Sequence, residues 1–390
     1  MPHRRSKIIS AIALSIFILI SLGFKANATG RSNLIRFNTP LLNWQMLNYY
    51  SGVGRERNLI KIQNNLSLKA RYLVSVGGLI KTTVTAIKHE QPGSANTTET
   101  RIDAPQLRLN AILIPSSFLL AYIQLDSTTS KRSALNIKKA YLLIDKTLAN
   151  QAKIYGFIGK KTINFGYFAN FVDTDDSFNL TNLVALYFKA QGNALGLGYM
   201  SKKLNMVISL LNGQNNDIKN TGPSNQLNNF ALNLFYHAAS HLNRWRLGIG
   251  YLNAPITKPF ESETTKWNGV YDLNAAIWLH QVGLLAEYAS TLKRTKLTHK
   301  RASALTAGID YHFILCNKAT IASFQYSWAN AQFFTQPALS ISPQSTYSVE
   351  LRQQSLKNLW LALELSRSNS IVSLNGVNDT SLRLIATAVF

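Results

Sequence analysis

The chain has 390 residues, of which 46% are hydrophobic and 15% are charged, and its formal net charge is +23 at pH 7. Its one cysteine, Cys316, excludes an internal disulfide, so the protein is not a disulfide scaffold. The length exceeds the needs of a small plug-like barrel and fits a large barrel, one large sandwich or two domains.

The N-terminus, residues 1–28, has the three parts of a secretory signal peptide. A basic segment at residues 4–7 precedes an apolar run at residues 8–24, and residues 26–28 read Ala-Asn-Ala, a small-x-small cleavage site. The alternative is an uncleaved anchor helix, because this apolar run is at the short limit for a membrane span. Cleavage near Ala28 removes four basic residues and no acids, which lowers the formal charge from +23 to +19.

Residues 29–70 are predicted to form a periplasmic N-terminal segment that precedes the main domain. Within it, residues 58–69 fit either a periplasmic strand or the start of a long first barrel strand. The segment shows neither coiled-coil heptads nor a solenoid repeat, so neither architecture is expected there.

From about residue 71 onward, apolar and polar side chains alternate in short segments. Residues 359–366 show the pattern clearly, because every second residue is leucine and the residues between are Trp, Ala, Glu and Ser. A period of two indicates strands and not helices. The predicted strands are 71–88, 106–113, 118–126, 136–145, 152–161, 193–201, 205–212, 226–237, 244–253, 271–280, 282–291, 302–313, 319–330, 345–355, 359–368 and 380–390.

Short and long connections take turns between these strands, as in a barrel with short periplasmic turns and longer external loops. The predicted strand number is 16, within a range of 14 to 18, and an even number suits such a barrel. Residues 182–190, inside the long connection 162–192, also resemble a strand, but counting that strand alone would break the parity. The predicted fold is therefore all-β, an antiparallel transmembrane barrel over residues 71–390.

The C-terminal segment, residues 380–390, alternates strictly and ends on the aromatic Phe390. An apolar terminal strand at a sheet edge would promote aggregation, whereas a barrel pairs its last strand with its first. A last strand that ends in phenylalanine also resembles the signature of bacterial outer-membrane barrels. This resemblance implies a location in the bacterial outer membrane and recognition of the strand by the barrel-assembly machinery. The alternative is the last strand of a soluble sandwich.

Charged residues in these strands fall on the polar face, opposite leucine and aromatic side chains. In a barrel the apolar face contacts lipid, where Arg or Lys at mid-depth costs about 2–4 kcal/mol, so the charged face must line a wet lumen. The predicted lumen residues on the strands are Arg108, Arg244, Arg246, Glu287, Glu350, Arg352, Glu364 and Arg383. In a soluble sandwich the same residues would form the solvent face.

Aromatic residues near the predicted strand ends favour the barrel, because such residues form girdles at membrane interfaces. The residues concerned are Tyr199, Tyr236, Tyr251, Trp278, Tyr311, Phe313, Tyr326 and Trp328. A sandwich would more often bury its aromatic side chains at strand centres.

The net positive charge of the chain indicates which solutes and which partners the protein would bind. Arginine and lysine in a narrow aqueous lumen favour anions, so the sequence predicts a weakly anion-preferring pore for small solutes. The most basic run is residues 292–301. Nucleic acid is not an expected partner behind a signal peptide. This loop is expected either to contact the phosphates of outer-membrane glycolipid or to be merely solvated.

A motif at the end of the fifth predicted strand carries a family resemblance. Residues 159–168 read GKKTINFGYF and residues 172–180 read VDTDDSFNL. They resemble the siderophore porins typified by the legiobactin receptor, whose Gly-Lys-Gln-x-x-x-Phe-Gly-x-Phe motif precedes a Ser/Thr-Asp-Pro-Leu-Thr-Leu loop. Here Lys161 replaces the Gln and the Asp-Pro is absent. The resemblance implies TonB-independent uptake of a ferric siderophore, and Lys160 and Lys161 are included among the predicted pore-lining residues.

The connection after Lys161 is long enough to fold inward and narrow the pore. Asp173, Asp175 and Asp176 would then face the basic wall, and the opposite charges would create a transverse field that favours dipolar or chelate solutes. The alternative is an exposed loop whose acids cap turns.

No set of residues forms a convincing active site. His237 and His241 are four residues apart, but they lie in a strand and a short turn, not on a helix that presents a zinc pair. We therefore predict no enzyme activity, no cofactor and no metal. The alternatives are a secreted or surface β-rich adhesin or structural protein, and an outer-membrane barrel hydrolase with a Ser–His–acid set near the outer rim.

Overall fold

The computed structural model describes residues 35–37, 73–91, 93–103, 105–116, 118–127, 135–145, 154–163, 165–166, 182–188, 191–201, 203–212, 227–239, 243–253, 269–294, 301–330, 342–356, 358–372 and 375–389. The strands are β1 (Ile35–Phe37), β2 (Leu73–Glu90), β3 (Thr97–Ile102), β4 (Gln106–Ser116), β5 (Leu119–Ser127), β6 (Leu135–Asp145), β7 (Ile154–Thr162), β8 (Gln191–Met200), β9 (Leu204–Asn212), β10 (Leu227–Ala239), β11 (Asn243–Leu252), β12 (Val270–Leu279), β13 (Val282–Thr291), β14 (Ser303–Leu315), β15 (Lys318–Ala329), β16 (Ser342–Leu356), β17 (Leu359–Val372) and β18 (Asn375–Val389). The described residues include one helix, α1 (Leu183–Phe188), between β7 and β8. Within these ranges no helix has the length and apolar character to cross a membrane.

The strands β2 and β4–β18 form a closed antiparallel barrel of 16 strands. Each strand pairs with the next along the chain, and β18 closes the barrel by pairing with β2 from Asn378↔Glu90 to Val389↔Leu79. The all-β antiparallel barrel predicted from the alternating pattern is confirmed, and each predicted strand corresponds to one barrel strand. The signal peptide and Phe390 lie outside the described residues.

Burial alternates along the strands as the sequence pattern predicts. On β17, Leu361, Leu363 and Leu365 are 40%, 49% and 51% exposed on the outer face. Between them, Ala362 and Glu364 are 6% and 0% exposed on the inner face. Because successive side chains of a strand point to opposite faces, the barrel has an apolar outer surface and a polar inner surface that encloses the lumen.

Two short strands lie outside the predicted set. Strand β3 falls in a predicted loop, but it pairs with the second half of β2, from Val84↔Ile102 to His89↔Thr97. Strand β4 pairs with the first half of β2 from Leu73↔Ile114 onward, so β3 and β4 together form one neighbour of β2. Strand β1 pairs in parallel with β2 at residues 74–76, below the last β18 pair at Leu79.

Tight turns connect the strands at one end of the barrel. Cys316 and Asn317 join β14 to β15 with φ angles of 51° and 60°. Two successive positive φ angles make a type I′ turn, whose twist matches that of the paired strands. The short connection predicted around these two residues is therefore a two-residue hairpin.

Residues 183–188 form helix α1, which corrects the interpretation of residues 182–190 as a strand. Asn182 caps the helix, because its Oδ1 accepts a hydrogen bond from the backbone N–H of Ala185 at 2.9 Å. The apolar residues that follow pack as a helical turn inside the barrel and do not pair with a strand. The buried residues of α1 are Leu183, Val184, Ala185, Tyr187 and Phe188.

Candidate functional site

The inner face of the barrel carries charges of both signs. Residues paired across neighbouring strands share a face, so inward side chains form rows around the wall. Basic residues on this face include Lys81, Arg108, Lys139, Lys161, Arg244, Arg246, Arg352 and Arg383, and carboxylates include Asp126, Asp272, Glu287, Asp310, Glu350 and Glu364. Five of these six carboxylates lie on β12–β17, together with Arg352, whereas the wall of β2–β7 carries Lys81, Arg108, Lys139 and Lys161 and one carboxylate, Asp126.

One row across β14–β18 contains three carboxylates, two of them at directly paired positions. Asp310 pairs with Ser323, Ser323 with Glu350, Glu350 with Glu364, and Glu364 with Arg383. Carboxylates at directly paired positions repel each other, so cations are needed beside them. Arg352 binds Glu350 through Nη2, and Arg383 Nη1 lies 3.4 Å from Oε1 of Glu364. Arg352 and Arg383 therefore offset the repulsion between the carboxylates of this row.

Arg108 and Asp126 form a buried ion pair on β4 and β5. Arg108 Nε donates to Oδ1 of Asp126 at 2.8 Å, and Nη2 donates to Oδ2 at 3.1 Å. Gln124 Nε2 also donates to Asp126 Oδ1 at 3.0 Å, and the hydroxyl of Tyr122 donates to Gln124 at 3.2 Å. Two parallel hydrogen bonds to one carboxylate fix the guanidinium plane. Arg108 thus stabilises the wall as well as contributing charge.

Strand β7 is irregular at Gly159, whose φ is +132°. A Cβ there would lie 2.4 Å from the carbonyl oxygen of Ala140, so the position requires glycine. After it, Lys161 points inward and is 3% exposed, with Nζ 3.8 Å from the centre of the Phe157 ring. A cation over an aromatic face is stabilised by the ring's negative face.

Lys160 points the other way. Its Nζ donates to the carbonyl oxygen of Ile137 at 3.0 Å, and Ile137 is 54% exposed on the outer face. Lys160 also pairs with Ala140, next to the inward Lys139 and Tyr141. The prediction that Lys160 lines the pore together with Lys161 is therefore corrected, because adjacent residues of a strand face opposite sides.

Beside the charged residues Arg108, Asp126 and Lys139, part of the inner wall of β4–β8 is apolar and aromatic. Tyr155 and Phe157 pack over inner-face glycines, since a Cβ at Gly198 or Gly196 would lie 2.1 or 2.2 Å from these rings. The wall forms one buried cluster with α1 and with the chain that follows β7. Its wall members include Ile112, Leu120, Tyr122, Tyr141, Leu143, Tyr155 and Phe157, and its connection members are Ile163, Phe165, Leu183, Val184, Tyr187 and Phe188. The inner face is thus polar only in part, because the connection packs on the rest.

The chain after β7 reaches the wall of β10–β13 at Gly166. Its carbonyl oxygen accepts a hydrogen bond from Asn233 Nδ2 on β10 at 3.2 Å. A Cβ at Gly166 would lie 2.3 Å from Oε1 of Glu287 and 2.9 Å from Oδ2 of Asp272, and the φ of Gly166 is +67°. Glycine is required there by both the backbone angle and the close carboxylates. Gly166 therefore seats the connection against β10–β13.

Helix α1 is the second point at which the connection packs on the barrel wall, and it contacts β13–β15. Asn182 Oδ1 accepts a hydrogen bond from the Thr306 hydroxyl of β14 at 3.0 Å. Gly166 contacts β10, and α1 contacts β15, which lies halfway around the barrel from β7. Both described ends of the connection 162–192 therefore lie inside the lumen. This agrees with the inward fold considered from the sequence. Asp173, Asp175 and Asp176 lie outside the described residues.

The cap of α1 can be tested directly. Asn182→Ala removes the oxygen that accepts from Ala185 and Thr306, and should destabilise the helix seat by about 1 kcal/mol. Hydrogen exchange of the amides of residues 183–188 should then be faster by several fold. Asn182→Asp retains a capping oxygen and is the matched control. Equal protection in the two variants would contradict the capping role.

Arg244 shares the inward face with Arg246 but is exposed at the strand end, whereas Arg246 is 1% exposed and lies 5.0 Å from the Phe235 ring centre. Trp278 was expected in an outer girdle, but it lies on the inner face and is 7% exposed.

The sequence-based prediction missed five inward charged residues, Lys81, Asp126, Lys139, Asp272 and Asp310. Each lies within or at the end of a predicted strand, and its place in the alternation was the available signal. Among the described side chains, no group of three or more His, Cys, Asp or Glu residues is placed to hold a metal ion.

Solved structures with this architecture are bacterial porins and channels. OprB of Pseudomonas putida aligns with a TM-score of 0.56 and 10% identity, over 86% of this chain and 96% of that chain. The anion-selective porin of Comamonas acidovorans has a TM-score of 0.55 and 9% identity, over 82% and 100%. The outer-membrane channel DcaP of Acinetobacter baumannii has a TM-score of 0.54 and 12% identity, over 83% and 98%. No protein-family model and no curated protein sequence matches the chain. At these identities the likeness establishes the fold.

Proposed function

We propose that the protein is a channel for small solutes in the bacterial outer membrane. The observation that carries the proposal is the closed barrel with an apolar outer face and a charged inner face, narrowed by the connection seated at Gly166 and α1. A closed barrel leaves no unpaired strand edge in lipid, which is the requirement for spanning a membrane with strands. The architecture is that of the porins named above.

The exposed leucines of the outer face support a membrane location. Leu363→Arg places a charge near the middle of β17 on the outer face and should destabilise the barrel in lipid by about 2–4 kcal/mol. Leu292→Arg is the matched control, because Leu292 is exposed just beyond the end of β13, where the cost falls to about 0–1 kcal/mol. The measurement is the urea midpoint of unfolding in vesicles. Equal midpoints would argue against a bilayer around the barrel.

The lumen should prefer anions weakly. The chain is strongly basic, and the inner face places Lys139 of β6 and Lys161 of β7 across the barrel from β14 and β15, with Asp310 on β14. This arrangement supports an electric field across the lumen. Carboxylates of the barrel wall supply its negative side. Reversal potentials across a salt gradient in planar bilayers test the preference. A clear preference for cations would overturn this part of the proposal.

We propose more specifically that the channel takes up an anionic ferric siderophore. It is supported by the resemblance of residues 159–168 to the siderophore porins, and by the position of Gly159, Lys161 and Gly166 where the connection leaves β7 and crosses the lumen. A ferric polycarboxylate chelate should then interrupt the single-channel current at lower concentration than the iron-free chelator does. Equal effects of the two would reject siderophore transport and leave the general channel standing.

A further inference from the structure

The outer wall carries an apolar groove of about 360 Å³ on β12–β15. Its floor is a row of alanines, because Ala275 pairs with Ala286 and Ala286 pairs with Ala307 across three adjacent strands. Larger side chains of the next row border the floor, namely Ile277, Ile309 and Phe324, which are 41%, 48% and 45% exposed. Small residues between larger ones leave a furrow that an extended hydrocarbon chain can fill with close contacts.

Cations lie beyond the external end of the same strands. Lys293 and Arg294 follow β13, Arg301 precedes β14, and all three are exposed. The strand ends that carry them are held side by side, since the backbone N–H of Thr291 donates to the carbonyl oxygen of Ala302 at 2.9 Å. The basic residues therefore stand over the strands that supply the centre of the groove.

The spacing between cations and groove matches a membrane lipid. From Ala286 to Thr291 the strand rises about 17 Å, at about 3.3 Å per residue. With a tilt of about 40°, this is about 13 Å in depth, or half of an apolar band about 25 Å tall. When the cations stand at the level of the lipid head groups, the groove lies at the level of the acyl chains.

We propose that β12–β15 and the ends of the β13–β14 loop bind one phosphorylated lipid of the outer leaflet. An acyl chain fills the groove over Ala286 and Ala307, and the phosphate pairs with Arg294, Arg301 and Lys293. Charge favours this occupant over a second copy of the chain. A symmetric pair of copies meeting at this wall would bring the two basic loops together, whereas a lipid phosphate neutralises them.

The test measures lipid retention by native mass spectrometry. Purified protein is exchanged into micelles that contain either bisphosphorylated lipid A or its dephosphorylated analogue. The protein should retain one lipid A and much less of the analogue. Arg294→Ser combined with Arg301→Ser should lower the relative binding constant for lipid A about 30-fold, because each basic residue near an anionic surface contributes roughly a fivefold gain. Ala286→Phe, which fills the groove floor, should also reduce retention.

Matched control variants distinguish a specific lipid site from a general attraction of lipid A to the protein. Ala121→Phe adds the same ring on the outer face of β5, and Arg367→Ser removes an exposed arginine from the outer face of β17. Both should retain lipid A normally. Equal loss in the control variants, equal retention of the dephosphorylated analogue, or a dimer that disappears on filling the groove without any lipid loss would overturn the proposal. Single-channel conductance should be unchanged in every variant, so the result is independent of the channel function.

Discussion

Gly166→Val should enlarge the single-channel conductance. The substitution places a β-branched side chain at a φ of +67°, where an added Cβ already lies 2.3 Å from Glu287 Oε1. Such a residue in the left-handed region costs about 1–3 kcal/mol, and the contact with two buried carboxyl side chains adds to it. The connection should therefore leave the wall of β10–β13, which enlarges the open cross-section of the lumen at that wall. Current steps in planar bilayers measure the change.

Gly93→Val is the control for backbone strain alone. Gly93 has a φ of +80°, but a Cβ there meets nothing within 4 Å. The two variants therefore share the conformational cost and differ in the lumen contact. A conductance that rises equally in both variants, or in neither, would remove Gly166 as the seat of the constriction.

Arg108→Leu should cost the barrel about 3 kcal/mol of folding free energy. The change leaves the carboxylate of Asp126, whose side chain is 10% exposed, without the guanidinium that binds it at 2.8 Å. Removing one partner of a buried ion pair typically costs about 3–5 kcal/mol. The lower value applies here because Gln124 Nε2 still donates to Asp126. The measurement is the urea midpoint of the folded barrel in vesicles.

The double variant Arg108→Leu with Asp126→Leu should recover most of the stability. An apolar pair of similar volume on an inner wall that is already apolar at Ile112 and Leu120 leaves no buried charge without a partner. If the single variant is as stable as the double variant, water in the lumen solvates Asp126 and the pair is not a structural element.

The barrel follows from local pattern, because a strand with one apolar face specifies which side of the sheet each residue takes. The alternation of residues 359–366 is reproduced residue by residue on β17, and an even strand number follows from alternating short and long connections. The same rule separates Lys160 from Lys161, since neighbours on a strand cannot share a face. Asp272 and Asp310 were equally readable from their positions in β12 and β14.

The constriction could not be derived in the same way. Gly166 contacts Asn233 and Glu287, which are distant in the sequence, and no local pattern encodes such contacts. Residues 183–188 resemble a buried strand as well as a buried helix, because an apolar run shorter than two turns carries no clear period. Asn182 was the usable signal, as a capping residue directly before an apolar run.

Planar-bilayer recording of the purified protein tests the central claim most directly, that the barrel surrounds a continuous aqueous path across a membrane. The folded state is first verified by migration that shifts on heating. The proposal predicts discrete, stable current steps on each insertion, with a step size that increases with salt concentration. A verified, folded and inserted barrel that passes no current would contradict it.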